Sequence, residues 1–262
     1  MRKTYRARSS KDYWAQRWKD IPIDLPQENI GTYPLKYALE AVDKKTMRIL
    51  EAGCGNGRIL RFFKDRGYDV QGFDYIDGAV MALLDSDPEL KVRTEDITRL
   101  SYGPDSFDCV LAFGLYHNLE EEGLHKAILE TNRVMKKNGR LCASFRADNL
   151  QNFINDSLTK KAFRDKRKSE LKFHKMNLSS GELAQAFQKG GFSVKKIRPV
   201  ENMPLLYKSR FFRAKGHKEF DESLGRREGY LLSPLGNLFQ KILIGVFPHQ
   251  FCNIYVLDAQ KL

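Results

Sequence analysis

Three glycines alternate with other residues after a short apolar run, and an acidic residue stands just before them. The apolar run at residues 47–50 predicts a buried strand, and the apolar spacing of residues 58–66 predicts a helix. A strand, a glycine turn and a helix in this order allow backbone N–H groups to approach a ligand closely. The residues of this motif are Glu51, Gly53, Gly55 and Gly57.

A second carboxylate, Asp74, follows the apolar run at residues 70–73, which predicts the neighbouring strand. A carboxylate at that strand end can accept hydrogen bonds from both hydroxyls of a ribose, and each bond contributes about 1.5–3 kcal/mol. A dinucleotide fingerprint would require a third glycine at position 58, where this chain has Arg58. The spacing therefore favours a ribose-containing ligand other than a dinucleotide. The alternative is a glycine turn that binds no ligand.

The pattern Glu-x-Gly-x-Gly-x-Gly resembles the first motif of class I S-adenosylmethionine-dependent methyltransferases, and the later elements are most similar to the branch called type 11. Residues 105–108 and 136–141 resemble the entries to that family's strands four and five. The resemblance covers about residues 45–148 and extends to the turn at residues 190–194. It implies a transferase enzyme, a methyltransferase, with S-adenosylmethionine as its cofactor.

The resemblance also implies which residues contact the cofactor. The glycine motif should line its methionine and ribose end, and Asp74 should hold the ribose. Residues after strands two and three should meet the adenine, and residues after strand four should face the reacting methyl group. The residues assigned in this way are Glu51, Gly53, Cys54, Gly55, Gly57, Asp74, Tyr75, Ile76, Asp96, Ile97, Phe113 and Gly114.

Methyl transfer from a sulfonium is an in-line displacement in which neutral sulfur leaves, so alignment is the principal demand and can supply ~7–11 kcal/mol. An oxygen nucleophile would also need a base. His117, on the loop after strand four, is the candidate catalytic base, and Tyr116 beside it is a candidate wall for the substrate. The alternative for His117 is a capping or packing role.

The alternation of apolar runs and helical patterns from residue 47 to residue 145 predicts an α/β fold with a doubly wound parallel sheet. The resemblance implies seven strands, a Rossmann-like methyltransferase fold, and an antiparallel last strand at residues 252–257. The predicted organisation is an N-terminal helical extension at 1–44 and a methyltransferase domain at 45–262, with inserts at 149–178 and 201–250.

The N-terminal extension contains a predicted helix that begins at Ser10 and carries Trp14 and Trp18. These aromatic side chains either cover the cofactor site or pack the helix against the sheet, and base rates favour packing. Residues 1–9 are basic, and we expect them to be loose.

The chain has 262 residues and a formal net charge of +12, which favours an anionic partner such as nucleic acid, an acidic membrane or a phosphorylated substrate. A solvated basic surface is the alternative. Residues 235–247 have helical apolar spacing, and with the aromatic and basic segment 207–213 they suit a peripheral contact with an anionic membrane. RNA binding is less favoured, and a lid over the pocket is the simplest interpretation of segment 207–213.

The sequence predicts a cytoplasmic protein, in contact with a membrane at most at its periphery. The basic N-terminus lacks the apolar stretch of a secretory signal, and the longest apolar run, residues 242–247, is far shorter than the ~20 residues that span a bilayer. The four cysteines have no C-x-x-C spacing, which suits a reducing compartment. No histidine pair has metal-ligand spacing, so we expect no metal site.

The sequence therefore predicts methyl transfer to a small-molecule, lipid-linked or glycan-linked acceptor. Two alternatives remain open. An RNA methyltransferase is supported by charge alone, since residues 113–116 read Phe-Gly-Leu-Tyr and lack the Asn-Pro-Pro-Tyr-type motif of many base-amino methyltransferases. The other is a subunit that binds the cofactor without catalysis and serves in regulation.

Overall fold

A mixed α/β fold is seen in a computed structural model, which describes residues 1–19, 21, 30–161, 171–200, 203–217, 219 and 231–262. The elements, in chain order, are β1 (Arg2–Arg6), α1 (Ser10–Lys19), α2 (Leu35–Ala41), β2 (Arg48–Ala52), α3 (Arg58–Lys64), β3 (Asp69–Asp74), α4 (Asp77–Ser86), β4 (Val92–Thr94), β5 (Phe107–Ala112), α5 (Glu121–Val134), β6 (Met135–Arg146), α6 (Leu150–Lys161), β7 (Lys172–Asn177), α7 (Ser180–Lys189), β8 (Phe192–Pro199), α8 (Pro204–Lys208), α9 (Pro234–Val246), α10 (Pro248–Phe251) and β9 (Ile254–Lys261). A 3₁₀ turn, Tyr116–Asn118, follows β5.

The central sheet has seven strands in the order β4-β3-β2-β5-β6-β9-β8. The strands from β4 to β6 pair in parallel, and β9 pairs antiparallel with both β6 and β8. This arrangement confirms the predicted doubly wound, mostly parallel sheet with an antiparallel last strand. The carboxyl ends of β2, β3, β5 and β6 therefore meet at one edge, where open sheets of this kind bind ligands.

Both faces of the sheet are buried. Successive residues of a strand point to opposite faces, so neighbouring residues belong to different hydrophobic clusters. On β2, Ile49 belongs to one hydrophobic cluster and Leu50 to the other. The first cluster contains Leu60 of α3 and Leu83 of α4, and the second contains Ile128 of α5. This double burial explains why the strands were visible in the sequence as continuous apolar runs.

The largest differences from the predicted boundaries lie at the last strand and at the junction of α5 with β6. The last strand is predicted at residues 252–257, whereas β9 runs from Ile254 to Lys261. The apolar spacing of residues 120–136 predicts a helix that extends to residue 136, whereas α5 ends at Val134 and β6 begins at Met135. Asn138 lies inside the strand with a φ of 61°, at a point where the pairing of β5 with β6 shifts register. The sequence Asn-Gly at 138–139 therefore marks an irregular strand and not the helix end that we predict from it.

The expectation that residues 1–9 are loose is wrong, since β1 pairs antiparallel with β7 in a separate two-stranded sheet. Buried ionic contacts hold this ribbon against α6. Lys175 of β7 lies 3.0 Å from Asp156 of α6, and Asn177 donates a hydrogen bond of 3.2 Å to the same carboxylate. Arg2 of β1 also pairs with Asp156. The extension and the first insert thus fold together.

The second insert contributes α8, α9 and α10. Tyr207 of α8 is fully buried and its hydroxyl lies 2.7 Å from Nδ1 of His217. Phe212 packs against Phe239 of α9 with ring centroids 5.4 Å apart. Segment 207–213 is therefore largely packed within the insert, although Phe211 is 70% exposed. In the described part of the chain no helix has the length and apolar character needed to cross a bilayer.

Replacing Asp156 by alanine should destabilise the fold strongly, because Lys175 would remain buried without its carboxylate. Removing one partner of a buried ion pair costs about 3–5 kcal/mol. We expect a loss of about 3 kcal/mol in the free energy of unfolding, measured by urea denaturation at pH 7.

Glu121→Ala is the matched control, because it removes a partner of Lys3, also on β1, from an ion pair in which the Glu121 side chain is 66% exposed. We expect this change to cost at most about 1 kcal/mol. Equal effects of the two substitutions would contradict the structural role assigned to Asp156.

Candidate functional site

The glycine turn after β2 is fastened to the end of β3 by the carboxylate of Asp74. The backbone N–H of Gly55 donates to one carboxylate oxygen at 2.8 Å, and the N–H of Ile76 donates to the other at 2.9 Å. The N–H of Cys54 also donates to the carbonyl of Phe73 at 2.9 Å. These bonds place the turn and the carboxylate beside each other, as the ribose assignment requires.

Asp74 retains acceptor capacity although it is only 6% exposed. A carboxylate offers about four lone-pair sites, and the two backbone N–H groups use two of them. Burial raises the pKa of Asp74, although the hydrogen bonds from the backbone of Ile76 and Gly55 act in the opposite direction. Asp74 therefore keeps the capacity to accept two hydroxyl hydrogen bonds.

Glu51, near the end of β2, is a buried carboxylate with an unused oxygen. It is 5% exposed, and its Oε2 has no hydrogen-bond partner among the described residues. Burial, helped by the nearby charge of Asp74, raises the pKa of Glu51 to about 8, although a backbone hydrogen bond from Leu60 and the charge of Arg58 act in the opposite direction. Such a group is suited to a cationic ligand, which would supply the missing partner.

A cavity of about 820 Å³ opens over the carboxyl ends of the strands. This volume is in the range of small-molecule and cofactor sites. Most of the predicted site residues line it together. These residues are Glu51, Gly53, Cys54, Asp74, Tyr75, Ile76, Asp96, Ile97, Phe113, Gly114 and His117.

Gly55 and Gly57 do not line the cavity, and their neighbours explain why. A Cβ at Gly55 would lie 2.4 Å from the ring of Trp18, so this glycine lets the indole pack directly on the turn. A Cβ at Gly57 would lie 2.7 Å from Leu83, and Gly57 precedes α3 as its N-cap with a φ of 67°. Both glycines therefore allow neighbouring side chains to pack closely against the turn. The backbone N–H of Gly55 donates a hydrogen bond to Asp74.

Tyr116 does not lie in the cavity, so the wall that we predict there is replaced by other side chains. It is fully buried, and its hydroxyl lies 2.7 Å from Oγ1 of Thr131. Its ring packs edge-on against Phe187 with centroids 5.4 Å apart, and burial raises its pKa. The side chain belongs to the core because the 3₁₀ turn directs it under α5.

His117, the next residue in that turn, does face the cavity and is 8% exposed. Its ring lies beside the end of β5, since a Cβ at Gly114 would be 3.9 Å from His117 Cε1. It packs edge-on against Phe145 of β6 with centroids 6.0 Å apart. The imidazole therefore lies in the cavity beside the carboxyl end of β5.

Aromatic side chains of the N-terminal extension cover the cavity. Trp14 and Trp18 of α1 stack with ring centroids 5.3 Å apart, and both line it. The hydroxyl of Tyr33 lies 2.8 Å from Oγ of Ser144, which also accepts a 2.8 Å hydrogen bond from the N–H of Gly114. Of the two roles that the sequence allowed for α1, covering the site is the one that this placement supports.

Sequence reasoning missed the basic side of the cavity, which includes Arg146, His174 and Lys175. Arg146 ends β6, so the rule that ligands bind at the carboxyl ends of parallel strands would have found it. His174 and Lys175 could not be found in this way, because they reach the cavity through the pairing of β7 with β1. The described residues contain no cluster of three or more His, Cys, Asp or Glu side chains that could hold a metal ion.

Residues 50–143 match the model of a protein family, type 11, described as a methyltransferase domain. The matched residues are about a third of the chain, and this part of the chain is similar to that family. The matched segment runs from the end of β2 to β6 and contains the glycine turn, Asp74 and His117. Methyltransferases of this class take S-adenosylmethionine as their cofactor, which agrees with the resemblance seen in the sequence.

Similar proteins of known name or structure support the fold. The curated demethylmenaquinone methyltransferase of Renibacterium salmoninarum is 28% identical over 127 residues, which are 48% of this chain and 46% of that protein. The match therefore spans less than half of that relative.

Two solved structures superpose over most of the chain. A SAM-dependent methyltransferase from Methanosarcina mazei has a TM-score of 0.58, with 18% identity, covering 91% of this chain and 99% of that chain. A 1,6-didemethyltoxoflavin-N1-methyltransferase from Burkholderia thailandensis, with bound 1,6-didemethyltoxoflavin and S-adenosylhomocysteine, has a TM-score of 0.55 at 14% identity, covering 96% and 84%. At these identities the likeness shows the fold alone.

The site fits an adenosyl sulfonium on the chain's own geometry. Asp74 has acceptor sites for two ribose hydroxyls, and the unused oxygen of Glu51 fits the ammonium group of the methionine portion. Ile76 and Ile97, both buried at the rim, offer apolar contact for the adenine. The cavity continues past Phe113 and Gly114 toward His117 and leaves space for an acceptor.

Glu51→Gln should have opposite effects on stability and on ligand binding. Folded Glu51 keeps its proton up to about pH 8, whereas the unfolded chain loses it near 4.5, so the wild type loses stability as the pH rises between these values. Glutamine carries no charge, and the ligand-free variant should become more stable than the wild type by roughly 3 kcal/mol at pH 8, with a small difference at pH 5.

Thermal unfolding at pH 5 and pH 8 measures this difference, and calorimetry with S-adenosylhomocysteine should show weaker binding by Glu51→Gln at both pH values. Glu89→Gln is the control, because the Glu89 side chain is 88% exposed. A stability difference that does not grow with pH would contradict the buried, protonated state of Glu51.

Proposed function

We propose that this protein transfers the methyl group of S-adenosylmethionine to a small-molecule acceptor, which includes lipid-linked and glycan-linked molecules. The observation that carries this proposal is the buried Asp74 carboxylate held against the glycine turn with two acceptor sites unused. We assign the ribose to Asp74, the methionine portion to Glu51, Gly53, Cys54, Phe113 and Gly114, and the adenine to Tyr75, Ile76, Asp96 and Ile97. The backbone of Gly55 and Gly57 shapes the turn that supports these contacts.

The cofactor supplies the electrophilic methyl group, and the protein's own residues supply alignment. Trp14 and Trp18, which line the cavity, would exclude water from it, and Asp74 and Glu51 would hold the ribose and the methionine portion of the cofactor. Holding nucleophile and methyl in line can lower the barrier by ~7–11 kcal/mol. These contributions require no proton transfer at sulfur.

His117 is the proposed general base for an oxygen or nitrogen nucleophile. It is a cavity-lining imidazole beside Gly114, where the reacting methyl group would lie. The pKa of an ordinary imidazole lies near neutral pH, so it can accept a hydroxyl proton during the reaction. Tyr33 and Phe113, which contact each other edge-on at 5.8 Å, would hold the acceptor beside it.

The acceptor class follows from enclosure and from aromatic lining. Tyr13, Trp14, Tyr33 and Phe113 line the acceptor half of the cavity, which suits a flat or apolar molecule more than a polynucleotide groove. The curated relative is named for demethylmenaquinone and the solved Burkholderia neighbour for didemethyltoxoflavin, and neither name denotes a nucleic acid. An RNA acceptor and a non-catalytic regulatory subunit are the alternatives.

A peripheral contact with an anionic membrane is a second proposal, supported by α9. Five large apolar side chains of this helix are between 40% and 61% exposed, which is unusual for a surface helix. They are Leu235, Leu238, Phe239, Ile242 and Val246. Exposed Phe211 and Phe247 extend this apolar face, and the chain's charge of +12 suits acidic lipids.

Methyl transfer can be tested with cofactor labelled on its methyl group and cell extract separated into small-metabolite, lipid and RNA fractions. We expect label in the metabolite or lipid fraction, and loss of that label in Asp74→Ala. Label in RNA alone would contradict the proposed acceptor class. Tight binding of S-adenosylhomocysteine without any label would favour the regulatory subunit.

Membrane contact can be tested by flotation with vesicles that contain phosphatidylglycerol at low salt. We expect the wild type to float with these vesicles and Leu238→Gln combined with Ile242→Gln to remain at the bottom. Vesicles of phosphatidylcholine alone are the control for charge. A wild type that fails to float with the acidic vesicles would rule out this contact.

A further inference from the structure

The acceptor half of the cavity has a basic wall. Arg146, at the end of β6, and His174 and Lys175, on β7, line the same cavity as the carboxylates of Glu51 and Asp74 on β2 and β3. The two halves of one cavity therefore carry charges of opposite sign. The acidic half is accounted for by the proposed cofactor, whereas the proposed reaction gives the basic half no role.

Few carboxylates neutralise this basic wall. Asp156 lies 3.0 Å from Lys175 but also pairs with Arg2. Arg146 donates a hydrogen bond to the side-chain oxygen of Asn253, and no carboxylate pairs with Arg146 among the described residues. The Nε of Arg146 is buried and has no partner in that part of the chain. Among the described residues, the carboxylate of Asp156 thus pairs with two cations, whereas Arg146 pairs with no carboxylate.

The electrostatic consequences are visible at the two neighbouring side chains. Burial and the charges of Arg6 and Lys175 lower the pKa of His174 to about 3, so this imidazole is neutral. Burial and the charge of Arg146 lower the pKa of Lys175 to about 8, even though Asp156 acts in the opposite direction. Each of these positive charges destabilises the other, and an added anion would therefore stabilise both of them.

The wall is also built rigidly, as a binding site requires. Arg146 is the last residue of β6 and its Asn253 partner is only 5% exposed. Asn253 is fixed in turn, because its carbonyl accepts a hydrogen bond of 2.9 Å from Asn152 of α6. Lys175 is 7% exposed and held by Asp156. The two charged groups are therefore positioned before any ligand binds.

We propose that the acceptor carries an anionic group, a carboxylate or a phosphate, which Arg146 and Lys175 bind while its apolar or aromatic body lies against Tyr33 and Phe113. The proposal rests on the methyl-transfer function of this cavity and names the substrate class. Arg146 and the proposed base His117 line the same cavity, so an anion bound by Arg146 would lie in the compartment that contains that base. An arginine fork matches the geometry of either oxyanion.

Intrinsic fluorescence offers a direct measurement, because Trp14 and Trp18 are the two tryptophans of the chain and both line the cavity. The probes are phenyl phosphate and benzoate, with phenol as the uncharged ring of similar size. We expect at least one anionic probe to bind at least tenfold more tightly than phenol. Its affinity should fall at least threefold between 50 mM and 500 mM salt, whereas that of phenol should not.

Arg146→Gln should abolish the preference for the anionic probes and leave phenol binding unchanged. Arg140→Gln is the matched control, because Arg140 lies on the same strand, pairs with Asp43 and does not line this cavity. Arg146→Lys should retain part of the preference, which separates loss of charge from loss of fold. Equal binding of charged and uncharged rings by the wild type, or an unchanged preference in Arg146→Gln, would overturn the proposal.

Calorimetry with S-adenosylhomocysteine separates this inference from the proposed function. We expect Arg146→Gln to bind S-adenosylhomocysteine as the wild type does, because Arg146 lies in the acceptor half. If Arg146→Gln loses both probe and cofactor binding, Arg146 serves the cofactor and the inference is wrong. A wild type that binds the anionic probes but not S-adenosylhomocysteine would contradict the proposed methyl transfer and not the anion site.

Discussion

The hydrogen bonds from Gly55 and Ile76 to the carboxylate of Asp74 are the constraint on which the site depends. They join the turn after β2 to the end of β3 and keep a buried charge in place with unused acceptor capacity. Bonds of this charge-assisted kind are stronger than neutral ones, and they offset part of the cost of burying the carboxylate. The glycine turn therefore serves the site mainly through its backbone N–H groups, and its missing side chains make room for Trp18.

The cavity joins two halves of different origin and opposite charge. The family segment, residues 50–143, supplies the acidic half with Glu51 and Asp74. Much of the basic half comes from outside that segment, from β7 and from the end of β6. The N-terminal extension covers both halves through α1. The two halves of the cavity therefore rest on different elements of the fold.

The part of the fold that could be predicted is the part in which local pattern and burial agree. Strands β2, β3 and β5 are buried on both faces and appear as apolar runs, and the spacing of Ser179 and Glu182 in the sequence is that of the capping box with which α7 begins. The ribbon of β1 and β7 could not be predicted, because it pairs residues about 170 positions apart, such as Thr4 and Lys175, and this pairing has no local signature. Tyr116 was misplaced for a similar reason, since the turn that buries it is set by tertiary packing.

The most direct test of the central claim is the affinity for S-adenosylhomocysteine, measured by calorimetry, of the wild type, Asp74→Ala and the exposed neighbour Asp77→Ala. If Asp74 holds the ribose, its removal weakens binding by about 2 kcal/mol or more, since two charge-assisted hydrogen bonds are lost, and Asp77→Ala leaves the dissociation constant unchanged. A dissociation constant that is the same in the wild type and in Asp74→Ala, with both proteins folded, would contradict the account.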